Sequence, residues 1–395
     1  MKLRTHLILT AACAMLAGCA GEPTQKEEAR DRWTAARGGV LAELAREQLA
    51  SGHLDEADAT LKQALSTTGG NAELHVLRAR LQIERNDLTA ARASLDAARA
   101  LSPAPEHEAM AEHLAGVVAE RWQEPTRAAE HHARAAALQP NEPAYLIAHA
   151  EALVAADRAA EAAATLEARV LHFEGSAAIR DALGQVYDVL GERQKAVDCY
   201  RQAAILSPDD ADLAERHALA AAAAGQHREA LRLLGKLGDA ANERASLQLA
   251  RGQCHLTLGE TSLARAAFQR AARLDDRLVP AWLGLARTTL EGGDLPRAAL
   301  AADRAVALAP DSTDALLLSG LIRLRQDRLA EAAQQFVALT RLDANDSTAP
   351  LLYGVCLRRL GRHEEAARYF ARAAAIDRGD ALASDLLADT RSRLQ

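Results

Sequence analysis

The stretch Asp181–Asp210, DALGQVYDVLGERQKAVDCYRQAAILSPDD, is the template on which the rest of this chain repeats. It has small residues where two antiparallel helices would cross closely and aromatic residues where bulk is needed. A glycine suits a tight turn, and a proline with no N–H to donate stops the second helix. In that order, these residues are Gly184 and Ala196, Tyr187 and Tyr200, Gly191, and Pro208. The template therefore predicts two antiparallel helices joined by a turn.

Copies of the template follow one another in strict register. The alanine of the second helix recurs every 34 residues, at Ala128, Ala162, Ala196, Ala230, Ala264, Ala298, Ala332 and Ala366. Bulky side chains stand four residues after this alanine in most copies, at Leu166, Tyr200, Leu234, Phe268, Phe336 and Phe370. Two more copies lie upstream, offset by three residues inserted in Ser102–Glu108. Eight consecutive copies without a slip indicate a repeat architecture.

This pattern resembles the tetratricopeptide repeat (TPR), a helix–turn–helix unit of about 34 residues that reads W-x2-L-G-x2-Y, A-x3-F and P. The resemblance covers residues 38–380. One copy does not bury its own apolar face, so such units stack. The resemblance implies an all-α fold: a right-handed superhelical solenoid of about ten TPR repeats with a C-terminal capping helix.

The first residues differ from the repeats. Lys2 and Arg4 precede an apolar run, Leu7–Leu16, which is too short to span a membrane and is typical of a signal peptide. The tetrapeptide LAGC that ends at Cys19 resembles the lipobox of a bacterial lipoprotein, which implies cleavage before Cys19 and its acylation. In such lipoproteins Ala20, rather than aspartate, favours the outer membrane, with the protein facing the periplasm. The alternative is an ordinary signal peptide with a chance cysteine.

These features divide the chain into five segments. Residues 1–18 are predicted to be a lipoprotein signal peptide, and residues 19–37 the lipidated cysteine with a polar tether. Repeats 1–2 span residues 38–105 and repeats 3–10 span residues 106–380. Residues 381–395 are predicted to form the capping helix.

No motif for catalysis, metal binding or cofactor binding stands out. Net charge is −7 and no long basic run occurs, which argues against nucleic-acid binding. Cys254 and Cys356 occupy one frame position three copies apart, too far for a disulfide. The histidines at positions 107, 113, 131 and 132 lack the spacing of metal ligands and are interpreted as solvated surface. The sequence thus predicts a non-catalytic protein with no metal and no cofactor.

A binding surface remains. By the geometry of the TPR family, three positions of each first helix line a groove, and their spacing of four and three places them on one helix face. In the middle of the chain they form an acidic strip: Glu120, Glu151, Asp181, Asp188 and Glu215. Further on they become leucines: Leu249, Leu256, Leu283, Leu290, Leu317, Leu321, Leu324 and Leu351. An apolar groove for a partner helix or peptide is one interpretation, and burial against neighbouring helices is the other.

TPR lipoproteins of this general build include the pilotins of type IV pili and the accessory proteins of exopolysaccharide secretion, and the chain resembles them. It implies a membrane-anchored scaffold for protein–protein interactions in a cell-envelope assembly or secretion machine. The alternative is an accessory protein that binds or guides a secreted polysaccharide. A sugar-binding groove would expose aromatic residues, and only 3% of this chain is aromatic.

Overall fold

A computed structural model describes residues 25–68, 71–101, 103–379 and 381–393. The predicted signal peptide, the lipobox and Cys19 lie outside these residues. The described part contains 22 helices and no strand. The chain divides into two compact units, Met1–Leu190 and Gly191–Gln395, so the division falls inside the template stretch.

The first unit contains nine described helices, in which successive helices pack side by side. In chain order they are α1 Gln25–Ala50, α2 Leu54–Thr68, α3 Ala72–Glu84, α4 Leu88–Ala100, α5 Pro105–Arg121, α6 Pro125–Leu138, α7 Pro143–Ala155, α8 Ala159–Glu167 and α9 Ala177–Leu190.

The second unit contains thirteen described helices with the same succession of first and second helices. They are α10 Arg193–Leu206, α11 Ala211–Ala223, α12 His227–Lys236, α13 Gly238–Glu243, α14 Ala245–Thr257, α15 Thr261–Leu274, α16 Val279–Glu291, α17 Leu295–Leu308, α18 Thr313–Arg325, α19 Leu329–Leu342, α20 Thr348–Arg359, α21 His363–Ile376 and α22 Ala381–Ser392. The short α13 is an extra element between two copies. The last helix, α22, packs against α21 and ends the stack.

The turn inside each copy has one residue in the left-handed conformation. These residues recur in the 34-residue frame, and at several of them the side chain is asparagine, aspartate or glutamine instead of glycine. They are Gly52, Asn86, Gln123, Asp157, Gly191, Gly225, Gly259, Gly293, Asp327 and Gly361, with φ between 59° and 78°. Each turn needs one such residue, so the ten left-handed turn residues in the described part of the chain mark ten copies. This count agrees with the predicted solenoid of about ten repeats.

Close packing inside a copy comes from a pair of residues sixteen positions apart. A glycine of the first helix lies directly under a ring of the second helix, at Gly116 under His132, Gly252 under Phe268, Gly320 under Phe336 and Gly354 under Phe370. A Cβ added at these glycines would lie within 2.3–2.7 Å of the ring. Where the second helix instead carries Leu166, Leu234 or Ala302, the first helix carries Ala150, Ala218 or Ala286. A ring on the second helix is thus matched by a glycine and a leucine by an alanine, which keeps the spacing of the helix pair, whereas Ala286 and Ala302 are both small.

The core is a series of small clusters, each made by neighbouring helices. One cluster surrounds Phe336 and Cys356, and another surrounds Leu357 and Phe370. Packing of this kind makes stability a sum of local interfaces. No helix in the described part of the chain combines the length and the apolar character needed to cross a membrane.

Candidate functional site

Five of the predicted groove leucines lie together in the second unit. Leu256, Leu283, Leu290, Leu317 and Leu321 line one open pocket of about 590 Å³ formed by the first helices α14, α16 and α18. All five are half-buried. Polar and charged side chains complete the lining, at Gln253, Arg287, Glu291 and Asp314. The arrangement presents a continuous apolar floor with charged groups around it, which we call the leucine groove.

The leucine groove is also tied to the core beneath it. Leu317 and Leu321, together with Leu324, pack against the cluster around Phe336. Leu290 packs against the cluster that contains Ala298 and Ile322. These leucines therefore cover the core with one side and line the pocket with the other. The groove interpretation describes one side of each residue, and the burial interpretation describes the other side.

The remaining predicted groove residues lie elsewhere. Leu249 packs beside Ala281 and lines a separate pocket of about 510 Å³ with Leu219 and Leu278. Leu351 packs against the cluster of Leu357 and Phe370. Leu324 does not line the pocket of the leucine groove. The predicted stripe is thus divided between three local environments.

In the first unit, two members of the predicted acidic strip share a pocket. Glu120 and Glu151 line it together with Gln123, Pro125, Ala152 and Ala155, and its volume is about 520 Å³. Burial raises the pKa of Glu151, the charge of Glu120 raises it further, and His132 opposes this rise. The pocket is therefore an acidic site whose two carboxylates repel each other.

The other acidic residues are not part of that pocket. Asp181 accepts a hydrogen bond of 2.9 Å from Gln185 Nε2, and Asp188 is exposed. Glu215, in the second unit, forms an ion pair with Arg244. This ion pair neutralises Glu215, so the acidic strip carries less negative charge than its residue types suggest.

The interpretation of the histidines as solvated surface is wrong for His132 and His113. His132 is completely buried because it occupies the position at which other copies carry Tyr200 or Phe268. His113 is half-buried and stacks on Tyr145 at a ring distance of 5.1 Å. The sequence pattern of a single helix does not reveal the burial of these histidines, because the residues that cover them lie on the neighbouring helix. Gly116, sixteen residues before His132, is the sequence signal that could have revealed it.

These two histidines form a chain of hydrogen bonds that ends at a carboxylate. His132 Nε2 lies 3.0 Å from Glu120 Oε1, and the two Nδ1 atoms of His113 and His132 lie 3.2 Å apart. Both contacts are satisfied when His132 donates from Nε2 to Glu120 and accepts at Nδ1 from His113. Burial lowers the pKa of His113 to about 4, with a further lowering by His132 that Glu120 opposes. His113 is therefore neutral at pH 7.

Glu112 lies at the centre of a second polar network in the same unit. Its carboxylate accepts from Arg134 Nε at 2.8 Å and from His131 Nδ1 at 2.7 Å, and Arg99 Nη2 lies 2.9 Å from it. Burial alone would raise the pKa of Glu112. The hydrogen bonds from His131 and Arg134 and the charges of Arg99 and Arg134 outweigh this and lower it to about 2.

No disulfide joins the cysteines of the described residues. Cys254 and Cys356 are buried and Cys199 is half-buried. Burial raises the pKa of Cys254 and raises that of Cys356 to about 11. Thiols that resist ionisation are poor nucleophiles, so these act as packing residues. Within the described ranges, no group of three His, Cys, Asp or Glu side chains is arranged to hold a metal ion.

Helical pairs in a 34-residue register, one left-handed residue per turn and a small residue under each ring define a helical repeat protein. Comparison with known families agrees. Models described as tetratricopeptide repeat match most of the chain, over residues 48–114, 178–214, 215–278, 283–347 and 317–381. The chain belongs to the tetratricopeptide repeat family, whose members are typically non-catalytic scaffolds that bind protein partners.

Individual relatives are more distant. Superkiller complex protein 3 of Mus musculus is 30% identical over 163 residues, which are 40% of this chain and 10% of that protein. This chain therefore matches about a tenth of the length of that relative. Among solved structures, YrrB, a TPR protein with an unusual peptide-binding site, is 17% identical with a TM-score of 0.35 and covers 56% of this chain and 96% of its own. The APC/C hetero-tetramer Cut9-Hcn1 is 16% identical with a TM-score of 0.39, covering 93% of this chain and 86% of that one. We draw no functional conclusion from these structures.

Proposed function

We propose that this chain is a non-catalytic scaffold that binds protein partners in an assembly or secretion machine of the cell envelope. It is held at the outer membrane, facing the periplasm, by lipidation of Cys19. The observation that supports partner binding most directly is the leucine groove. Five leucines from three successive first helices form one apolar floor there, open to solvent.

The chemistry of the groove favours a peptide or helix as its ligand. Recurrent apolar side chains on neighbouring helices fit the apolar face of an amphipathic helix or the alternate side chains of an extended segment. Charged groups on both sides, such as Arg287 and Asp314, would orient the partner. The lining contains no tyrosine or tryptophan, whose side chains would stack on sugar rings, so a protein partner is favoured over a secreted polysaccharide.

The test of partner binding uses Leu256→Ser combined with Leu283→Ser, which changes two neighbouring helices of the groove. The wild type and the double variant are used as bait on detergent-solubilised envelopes, and captured proteins are quantified by mass spectrometry. The double variant should lose the specifically captured proteins while its circular dichroism spectrum stays unchanged. Leu263→Ser is the matched control, because Leu263 is an exposed leucine outside the groove. Equal capture by the double variant and the wild type would refute the assignment of the groove.

The test of anchoring uses Cys19→Ser. We expect the wild type to fractionate with outer membranes and the variant to remain unprocessed or to be released. A wild-type protein recovered without acylation and beginning at another residue would refute the anchor. It would leave partner binding by the groove untouched.

A further inference from the structure

The second unit contains a second large cleft, on a different side of α16 from the leucine groove. It lies between the second helices α15 and α17 and has a volume of about 680 Å³, within the range of ligand pockets. Trp282, Leu285 and Thr289 of α16 face this cleft, whereas Leu283, Arg287 and Leu290 of the same helix face the leucine groove. The two sets are separated by roughly a third of a turn around the helix, so one helix serves both sites.

Three arginines line the cleft, at positions 265, 297 and 304, beside the apolar side chains of Trp282 and Leu300. We call it the arginine cleft. Arg304 Nη2 lies 2.9 Å from Asp276 Oδ2, and Arg297 Nη1 lies 3.5 Å from Asp294 Oδ2. Arg265 is exposed and has no ion-pair partner among the described residues. Arg265 therefore gives the cleft one positive charge that no carboxylate of the described residues neutralises, on a chain of net charge −7.

An apolar surface accompanies the charges. Leu300 lines the cleft and is 71% exposed. Trp282 is half-buried, and its Nε1 donates to the backbone oxygen of Asp276 at 2.9 Å, which fixes the orientation of the indole. The cleft thus combines a positioned aromatic ring, an exposed leucine and guanidinium groups.

In the first unit, the position that corresponds to Trp282 carries a glutamate. Five copies earlier in the frame, Glu112, Arg127 and Arg134 correspond to Trp282, Arg297 and Arg304. There the Glu112 carboxylate accepts a hydrogen bond from Arg134 and forms an ion pair with Arg99. The pocket of the first unit that Arg99 and Arg127 line has a volume of only about 160 Å³. In the second unit the glutamate is replaced by tryptophan. Of the three groups that bind Glu112, only Arg134 keeps a cationic counterpart, Arg304, because Arg99 and His131 are replaced by Ala272 and Ala301. The cleft is also several times larger.

We propose that the arginine cleft binds an acidic peptide segment that carries one apolar side chain. One carboxylate of the segment pairs with Arg265, and another pairs with Arg297 in place of Asp294. Its apolar side chain packs against Trp282 and Leu300. This site is independent of the leucine groove and of the proposed scaffold function that rests on it.

A peptide fits the observations better than a nucleic acid. Two of the three guanidinium groups already pair with carboxylates of the chain itself, and the planar guanidinium group of the third, Arg265, suits the same kind of ligand. A nucleic acid would also meet the long-range repulsion of an acidic protein that has no basic run.

The experiment measures binding of the full mature chain to an array of blocked heptapeptides. Each has aspartate or glutamate at six positions and one of the twenty amino acids at the centre. A second array replaces the acidic residues by asparagine and glutamine, and a labelled single-stranded oligo(dT) is tested in parallel. The variant Arg265→Gln combined with Arg297→Gln removes two charged donors that are exposed, so it should fold normally. Arg127→Gln, at the equivalent place in the first unit, is the matched control.

We expect the chain to bind acidic peptides with an apolar centre in preference to the amide array, and more weakly as salt increases. The double variant should bind them at least about tenfold more weakly, and Arg127→Gln should bind them as the wild type does. Leu300→Ser should remove the preference for an apolar centre. Absence of binding to every acidic peptide would overturn the proposal. Binding that the double variant retains, or binding of oligo(dT) in place of the peptides, would overturn it as well.

Discussion

Acidification should destabilise the first unit through His113. Burial and the neighbouring His132 lower the pKa of His113 from its ordinary 6.5 to about 4. Between these two values the unfolded chain binds a proton at this site that the folded chain does not bind. The free energy of unfolding therefore falls as the pH falls from 6.5 to 4. Above pH 6.5, His113 is neutral in both the folded and the unfolded chain, so the folded chain has its full stability there.

The structure sets the size of this effect. A pKa difference from 6.5 to about 4, at about 1.4 kcal/mol per pH unit, corresponds to roughly 3 kcal/mol of unfolding free energy. Most of it should be lost by pH 4.5. Glu112 acts in a lower window, because its pKa is lowered from 4.5 to about 2 and its contribution is lost only as the pH falls through that range. The interval from pH 7.5 to 4.5 therefore isolates histidine titration from that of Glu112.

The assay is urea unfolding at pH 7.5 and pH 4.5, with hydrogen exchange of α5 and α6 as the local readout after correction for intrinsic rates. His113→Gln is the informative variant, since an amide donates to His132 Nδ1 but does not titrate. The wild type should lose about 2.5 kcal/mol more than this variant between the two pH values. His53→Gln, at an exposed histidine, should behave like the wild type. An equal loss in the wild type and His113→Gln would refute the assignment to the buried pair.

Three further predictions concern packing. Phe268→Ala removes a fully buried ring held between two glycines and should cost about 3–5 kcal/mol, and unfolding followed by circular dichroism should then split into two transitions; one transition for all helices would contradict local stability. Gly320→Ala places a Cβ 2.5 Å from Phe336 and should cost about 1–3 kcal/mol of stability. Gly235→Ala lies in open space on α12 and should stabilise the protein by up to about 1 kcal/mol. If both variants shift the urea midpoint in the same direction from the wild type, the steric argument is refuted. Leu317→Ser combined with Leu321→Ser should lower stability by several kcal/mol, because both leucines cover the cluster around Phe336; an unchanged thermal midpoint would show that they serve the groove alone.

Much of the fold was predictable because its signals are local. Gly191 was predicted to be in the turn and has a φ of 73°, and Pro208 was predicted to stop the second helix, which ends at Leu206. Turn residues, helix ends and the 34-residue period depend on neighbours within one copy, so they can be read without a partner. The packing rule that pairs Gly116 with His132 and Gly320 with Phe336 spans sixteen residues and involves two helices. It became visible only once both helices were placed.

The binding surfaces were predictable only in part. Position in the frame predicted eight groove leucines on first helices, and five of them line one pocket of the second unit. It separates Leu249 and Leu351 from that pocket, because the lining depends on which neighbouring helix approaches each position. The arginine cleft had no signal in any single helix, since its three arginines come from two second helices on either side of α16.

The sequence by itself thus determined the repeat, the helices and the number of copies, because each copy carries its own turn residue and its own part of the 34-residue pattern. Only the tertiary structure decided what a residue type means at a given place. Histidine at position 132 became a buried packing residue, because the neighbouring helix supplied Gly116 beneath it and Glu120 beside it. Arginine at position 134 became the partner of a buried carboxylate, whereas its counterpart Arg304 lines an open cleft. The physical reason is that burial and charge neutralisation depend on what the neighbouring helix presents, and the repeat frame leaves that choice open.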